Sequence, residues 1–117
     1  VFCEKAKLEL LELPRQMLPS VTGQLAALQQ YCTTWKTGNF DPSQFPPKRI
    51  ERETEITLEK FGAERTFAGP DGKKHVFSWH IRLTPLAWRI YFEAVPSLKR
   101  ILIGYVGPHL RTAKFNN

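Results

Sequence analysis

The second half of the chain holds histidines and arginines at a spacing suited to chemistry on a polyanion. His80 and Arg82 are two residues apart, Arg89 follows seven residues later, and His109 comes directly after a Gly-Pro pair. The planar guanidinium of arginine binds phosphate through two parallel hydrogen bonds. Histidine titrates near neutral pH and can move protons during phosphodiester cleavage. These four residues therefore form the candidate catalytic set.

Alternation of residue types assigns the first three of these side chains to one face of a sheet. In residues 75–83 the predicted core set is Phe77, Trp79, Ile81 and Leu83, and the opposite set is Val76, Ser78, His80 and Arg82. In residues 88–94, Arg89, Tyr91 and Glu93 likewise oppose the apolar set of Trp88, Ile90 and Phe92.

Antiparallel pairing of these two strands would bring Arg89 near Arg82 and His80. Facing like charges destabilise a sheet unless an anion lies between them, which favours a phosphate site. An ordinary polar face neutralised by Glu93 and solvent explains the same pattern equally well. The sequence leaves both interpretations open.

Five further residues are candidates for contact with nucleic acid because they are cationic or aromatic. They are Tyr91, Arg100, Arg111, Lys114 and Phe115. Glu51, Glu53 and Glu55 alternate with Arg and Thr and are interpreted as a solvated face. Because no glycine-rich phosphate loop and no acidic pair suited to Mg²⁺ is present, we expect no cofactor and no metal. Any nuclease activity would then depend on His, Arg and the 2′-hydroxyl of the RNA itself.

Charge is distributed unevenly along the 117 residues. Residues 1–47 carry equal numbers of acidic and basic side chains, so residues 48–117 carry the whole net charge of +6. A neutral scaffold with one basic face is typical of a nucleic-acid-binding protein. The first residues lack an apolar signal segment, and no apolar run is long enough to cross a bilayer. Cys3 and Cys32 are interpreted as reduced thiols, so we expect a cytoplasmic protein without membrane contact.

The periodicities predict a single α+β domain over residues 1–117, in which two N-terminal helices pack on one face of a small, twisted antiparallel sheet. The first helix ends at Pro14, and the second begins near Pro19 with Ser20 as its N-cap. Residues 37–47 are predicted as loop, and residues 49–61 suit either a short helix or an edge strand. Beyond them we expect a hairpin of residues 65–67 and 75–83, then strands over residues 88–94 and 100–106.

Three segments resemble the RelE/ParE superfamily of type II toxins. Residues 1–28 are similar to the end of the family's first strand and its helical hairpin, residues 80–92 to its basic strands, and residues 103–115 to its last strand and functional tail. The loop over residues 37–61 is longer than in the family. Phe115 stands where several RNA-cleaving members have a tyrosine, so this position could stack on a base but could not transfer a proton.

The resemblance implies a toxin that cleaves mRNA on the ribosome and is neutralised by a cognate antitoxin protein. It implies that Arg89 stabilises the scissile phosphate, that His80 and Arg82 occupy the family's basic strand positions, and that His109 or Arg111 supplies an acid or a cation. Two alternatives stay open. One is a non-enzymatic toxin of the ParE branch that inhibits gyrase, and the other is a non-catalytic RNA- or DNA-binding module.

Overall fold

The computed structural model describes residues 1–110 and Thr112. The helices are α1 (Glu4–Leu11), α2 (Leu18–Thr34) and α3 (Glu55–Phe61). The strands are β1 (Ile50–Arg52), β2 (Thr66–Ala68), β3 (Lys74–Val76), β4 (Trp79–Leu83), β5 (Trp88–Val95) and β6 (Arg100–Pro108). The α+β class is therefore as predicted, with helices and antiparallel strands in one compact unit.

The strands form two antiparallel sheets. The larger has the order β1-β4-β5-β6, and the smaller pairs β2 with β3. Phe2 adds an isolated parallel bridge to Ile103 of β6, where the sequence suggested the end of a first strand. In the larger sheet β4 and β5 are joined by a short turn, and their register places Arg82 opposite Arg89. The predicted pairing of these two arginines is confirmed.

Helices α1 and α2 cover one face of the larger sheet. Ala6, Met17 and Val21 are fully buried there against β-strand residues such as Ile81 and Ile90. Ser20 is not the N-cap of α2, because the helix begins two residues earlier with Pro19 in its first turn, where proline is well tolerated. The predicted helical pair is otherwise confirmed.

Residues 49–61 contain both of the structures between which the sequence did not decide. β1 is an edge strand, and Thr54 then caps α3 by accepting a hydrogen bond from the Thr57 backbone N–H at 3.2 Å. Because a short strand is followed almost at once by a short helix, neither the period of two nor the period of 3.6 extends far enough to be recognised.

The single strand predicted over residues 75–83 is wrong. Its first part, β3, belongs to the small sheet and its second part, β4, to the large one, with Phe77 and Ser78 between them. Because the chain changes course there, Phe77 packs on the opposite face of the large sheet from Ile81, against Tyr91 and Tyr105. The face carrying His80 is thus partly covered and is not a plain solvated surface.

Candidate functional site

The predicted catalytic residues meet in one open groove at the β1–β4–β5 side of the large sheet. The groove has a volume of about 590 Å³, within the roughly 300–1,000 Å³ of typical ligand sites. Its lining includes Glu51, Glu53, His80, Arg82, Arg89 and His109. The structure therefore brings together all four residues of the candidate catalytic set.

Arg82 and Arg89 face each other across two neighbouring strands of the groove. Arg82 is half exposed and forms a 2.9 Å ion pair with Glu51, while Arg89 donates a 2.9 Å hydrogen bond to the Trp88 carbonyl. Burial, and next the charge of Arg82, lower the pKa of Arg89. The two cations thus repel each other, and an exposed ion pair worth about 0–1 kcal/mol does little to offset that.

In one of the two interpretations left open by the sequence, Glu93 neutralises these arginines, and the structure places Glu93 elsewhere. A Glu93 carboxylate oxygen lies 3.1 Å from Nδ1 of His75. The carboxylate beside Arg82 is that of Glu51, on the edge strand. Glu93 is thus not the partner of these arginines, and the acid that pairs with Arg82 comes from a strand far away in sequence.

His80 lies at the inner wall of the groove and is nearly buried. Burial, and then the charges of Arg89, Arg82 and Arg65, lower its pKa to about 3. Its Nδ1 lies 3.4 Å from Oε1 of Glu53, close enough for an electrostatic contact but without the geometry of an ordinary hydrogen bond. At neutral pH the imidazole is uncharged, so one ring nitrogen carries a proton and the other has a free lone pair.

Glu53 is the functional residue that sequence reasoning missed. Its side chain is only 6% exposed, so its interpretation as part of a solvated face was wrong. Oε2 of Glu53 accepts hydrogen bonds from Nε of Arg65 and, at 3.3 Å, from the hydroxyl of Tyr91. The two ion-pair partners are twelve positions apart, and no local pattern connects a Glu just after the edge strand to an Arg in a later turn.

Arg65 anchors this buried cluster. Its side chain is fully buried, and besides Glu53 it donates to the Phe61 carbonyl at 3.2 Å and to the Tyr91 hydroxyl at 3.3 Å. Buried charges persist only when they are paired and hydrogen-bonded in this way. The cluster of Glu53, Arg65, Tyr91 and His80 therefore forms a rigid floor beneath the two arginines of the groove.

Tyr91 belongs to this floor and is not on the surface. It is 1% exposed, and burial raises the pKa of its hydroxyl to about 12. A base cannot reach the ring from solvent in this arrangement, so the predicted contact of Tyr91 with nucleic acid does not fit its position. Its hydroxyl orients Glu53 instead.

His109 approaches the groove from the end of β6. It is half buried, and its backbone N–H donates to the Ala87 carbonyl at 2.9 Å. Burial lowers the pKa of His109, followed by the charges of Arg89, Arg65 and Arg82. The lowered pKa favours the uncharged form of this imidazole, which lines the same groove as the arginine pair.

Arg100, another predicted nucleic-acid contact, lies away from this groove. Arg100 begins β6 at the Val95 end of β5, whereas Arg89 lies at the other end of the same pair of strands. Six residues of β5 separate Val95 from Arg89, which is about 20 Å along a strand. Arg111, Lys114 and Phe115 lie outside the residues that the structure describes.

Comparison of the chain with protein-family models, with curated proteins and with solved structures found no match. Within residues 1–110 and Thr112, no three His, Cys, Asp or Glu side chains are grouped as a metal site would require. In the same part of the chain, every helix is too short or too polar to span a membrane.

Proposed function

We propose that the groove binds an RNA phosphate and that the protein is a metal-independent endoribonuclease. The observation that supports this is the direct cross-strand pairing of Arg82 and Arg89 in the groove that His80 and His109 also line. Two facing cations are unfavourable alone and become favourable when a phosphate lies between them. The groove is therefore best explained by an anionic ligand.

The two histidines supply the proton transfers for cleavage in this proposal. Neutral His80 accepts the proton of the RNA 2′-hydroxyl, and the 2′-oxygen then forms a bond to phosphorus. The bond from phosphorus to the 5′-oxygen breaks, and protonated His109 gives that oxygen its proton. The products are a 2′,3′-cyclic phosphate and a 5′-hydroxyl, and no metal or cofactor takes part.

Phosphate binding would tune both histidines for these roles. Burial, and after it the charges of Arg89 and Arg82, lower the pKa of His80 and of His109 in the free protein. A phosphate between the arginines offsets their charge and so raises both pKa values by removing that part of each shift. The groove would thus become a more effective acid–base site when its substrate is present.

The resemblance to RelE/ParE toxins extends this proposal to a biological role. The substrate would be mRNA on the ribosome, and a cognate antitoxin protein would cover the basic groove. The pKa of about 3 for His80 favours a second candidate, because so weak a base is poorly matched to neutral pH. In that candidate the groove binds a polyanion or gyrase without catalysis.

Inducible expression in a bacterial host tests the proposal. We expect growth arrest and discrete cuts within translated codons by primer extension, and we expect Arg89→Ala and His109→Ala to abolish both. Arg15→Ala is the matched control, because it removes one exposed arginine from the helical side of the sheet. Arrest with intact mRNA would support the non-catalytic toxin, and normal growth with intact mRNA would overturn the toxin assignment.

A further inference from the structure

We propose that Glu53 is a positioning residue that holds His80 in the tautomer with its proton on Nδ1. Nε2 of His80 is then the nitrogen with a free lone pair, and it is the one left to meet a ligand in the groove. The role of Nε2 as a base rests on the proposed function, whereas the tautomer itself does not.

The two carboxylate oxygens of Glu53 have separate partners. Oε2 accepts from Nε of Arg65 and from the Tyr91 hydroxyl, and Oε1 faces Nδ1 of His80 at 3.4 Å. An ionised carboxylate can only accept hydrogen bonds. A ring nitrogen that faces it without a proton would set two lone pairs against each other, so the contact favours Nδ1–H.

The position of Glu53 is held from two sides. Its backbone N–H donates to the Ser78 carbonyl at 2.8 Å, which ties it to the residue before β4. Its side chain is held by Arg65, which is itself fixed by the Phe61 carbonyl and the Tyr91 hydroxyl. The carboxylate therefore cannot turn away from His80 without breaking a buried ion pair.

The charges around His80 leave the choice of tautomer to Glu53. Burial disfavours the imidazolium most, and the charges of Arg89 on β5, Arg82 on β4, Arg65 before β2 and His109 after β6 add to it. The ring is therefore neutral, and the opposing carboxylate is Glu53, beyond the end of β1. Because the neutral ring holds one proton, placing it on Nδ1 makes Nε2 an acceptor, and placing it on Nε2 would make that nitrogen a donor.

Two-bond ¹⁵N–¹H correlation spectra of protein labelled at the histidine ring nitrogens test this inference at neutral pH. The His80 signals are identified by their loss in His80→Asn. We expect a protonated Nδ1 and an unprotonated Nε2 in the natural protein. Glu53→Gln should shift the population toward Nε2–H, and Glu53→Asp should restore part of the Nδ1–H signal.

Glu51→Gln is the matched control, because Glu51 is the register partner of His80 on β1 but its carboxylate pairs with Arg82, whereas the carboxylate beside Nδ1 of His80 is that of Glu53. It should leave the His80 signals unchanged. If Glu53→Gln fails to fold because Arg65 loses its partner, the double variant Glu53→Gln/Arg65→Met removes both charges and is measured instead. An Nε2–H tautomer in the natural protein, or an unchanged Nδ1–H tautomer in the variants, would overturn the inference.

Cleavage measured on the same variants separates this inference from the proposed function. A tautomer that changes on substitution of Glu53 supports the positioning role even if the natural protein leaves mRNA intact, in which case only the nuclease proposal fails. If the natural protein cleaves mRNA and Glu53→Gln does so at the same rate with an unchanged tautomer, the positioning role fails and the nuclease proposal stands.

Discussion

Replacement of Arg65 by methionine should destabilise the protein by about 3–5 kcal/mol, because it leaves a buried carboxylate without its counter-ion. The Arg65 side chain is fully buried and that of Glu53 is 6% exposed, so water cannot replace the lost partner. The substitution also removes the donors to the Phe61 carbonyl and the Tyr91 hydroxyl. Methionine fills a similar volume, so the cavity contribution is small.

The size of this effect is large for a domain of this length. The free energy of unfolding of a domain is about 5–15 kcal/mol, so the variant would lose a substantial fraction of that free energy. With a urea dependence of about 2 kcal/mol per molar, a loss of 4 kcal/mol lowers the unfolding midpoint by about 2 M. Urea titration followed by tryptophan fluorescence measures this shift, since Trp35 is buried in the core.

A double-mutant cycle tests the reasoning more sharply than the single variant. In Arg65→Met/Glu53→Gln the unpaired carboxylate is gone, so the double variant should be more stable than Arg65→Met alone. Arg52→Met is the control, because Arg52 is exposed and contacts the ring of Trp79 at 5.2 Å; it should cost about 1 kcal/mol or less. The buried ion pair would be refuted if the changes in the free energy of unfolding for Arg65→Met and Glu53→Gln were additive. It would also be refuted if Arg65→Met lowered this free energy no more than Arg52→Met does.

Three further predictions concern pH, packing and binding. Since the pKa of His80 is about 3 when folded and near 6.5 when unfolded, only the unfolded chain binds this proton between those values. The free energy of unfolding should therefore fall by up to about 1.4 kcal/mol per pH unit below pH 6.5, and His80→Asn should flatten that dependence in urea titrations at several pH values. Gly104→Ala should cost about 1–3 kcal/mol, because an added Cβ would lie 2.8 Å from the Phe77 ring, whereas Gly23→Ala in open space within α2 should stabilise by up to about 1 kcal/mol; thermal melts compare the two. Arg82→Ala should weaken binding of a single-stranded RNA and lower the slope of log affinity against log salt by about one phosphate contact, and an unchanged slope would remove Arg82 from the RNA interface.

The local features of the fold could be predicted because they depend on neighbouring residues. The patterns in residues 88–94 and 100–106 locate β5 and β6, and the first helix is found as well, although it ends at Leu11 and not at Pro14. The pairing of Arg82 with Arg89 also follows from the sequence, since a short turn between successive antiparallel strands sets their register. The convergence of His80, Arg82 and Arg89 depended on that register alone.

The break between β3 and β4 could not be predicted from alternation. Residues 75–83 keep an apolar and polar period of two across the break, yet Phe77 packs on Tyr91 and Gly104 while Ile81 packs under the helices. A change of sheet at two residues leaves the local pattern intact, so only the packing of distant strands reveals it.

By itself the sequence determined the α+β class, the basic second half and the pair of facing arginines, because composition, period and short-turn register are local properties. Tertiary structure alone decided which acid pairs with Arg82 and how His80 is held. Glu51 reaches the site from the edge strand β1, Glu53 from just beyond its end and Arg65 from a later turn. At these separations the spacing of residues along the sequence carries no signal. Burial then sets the protonation of His80, since the cost of charging a ring depends on what surrounds it in space.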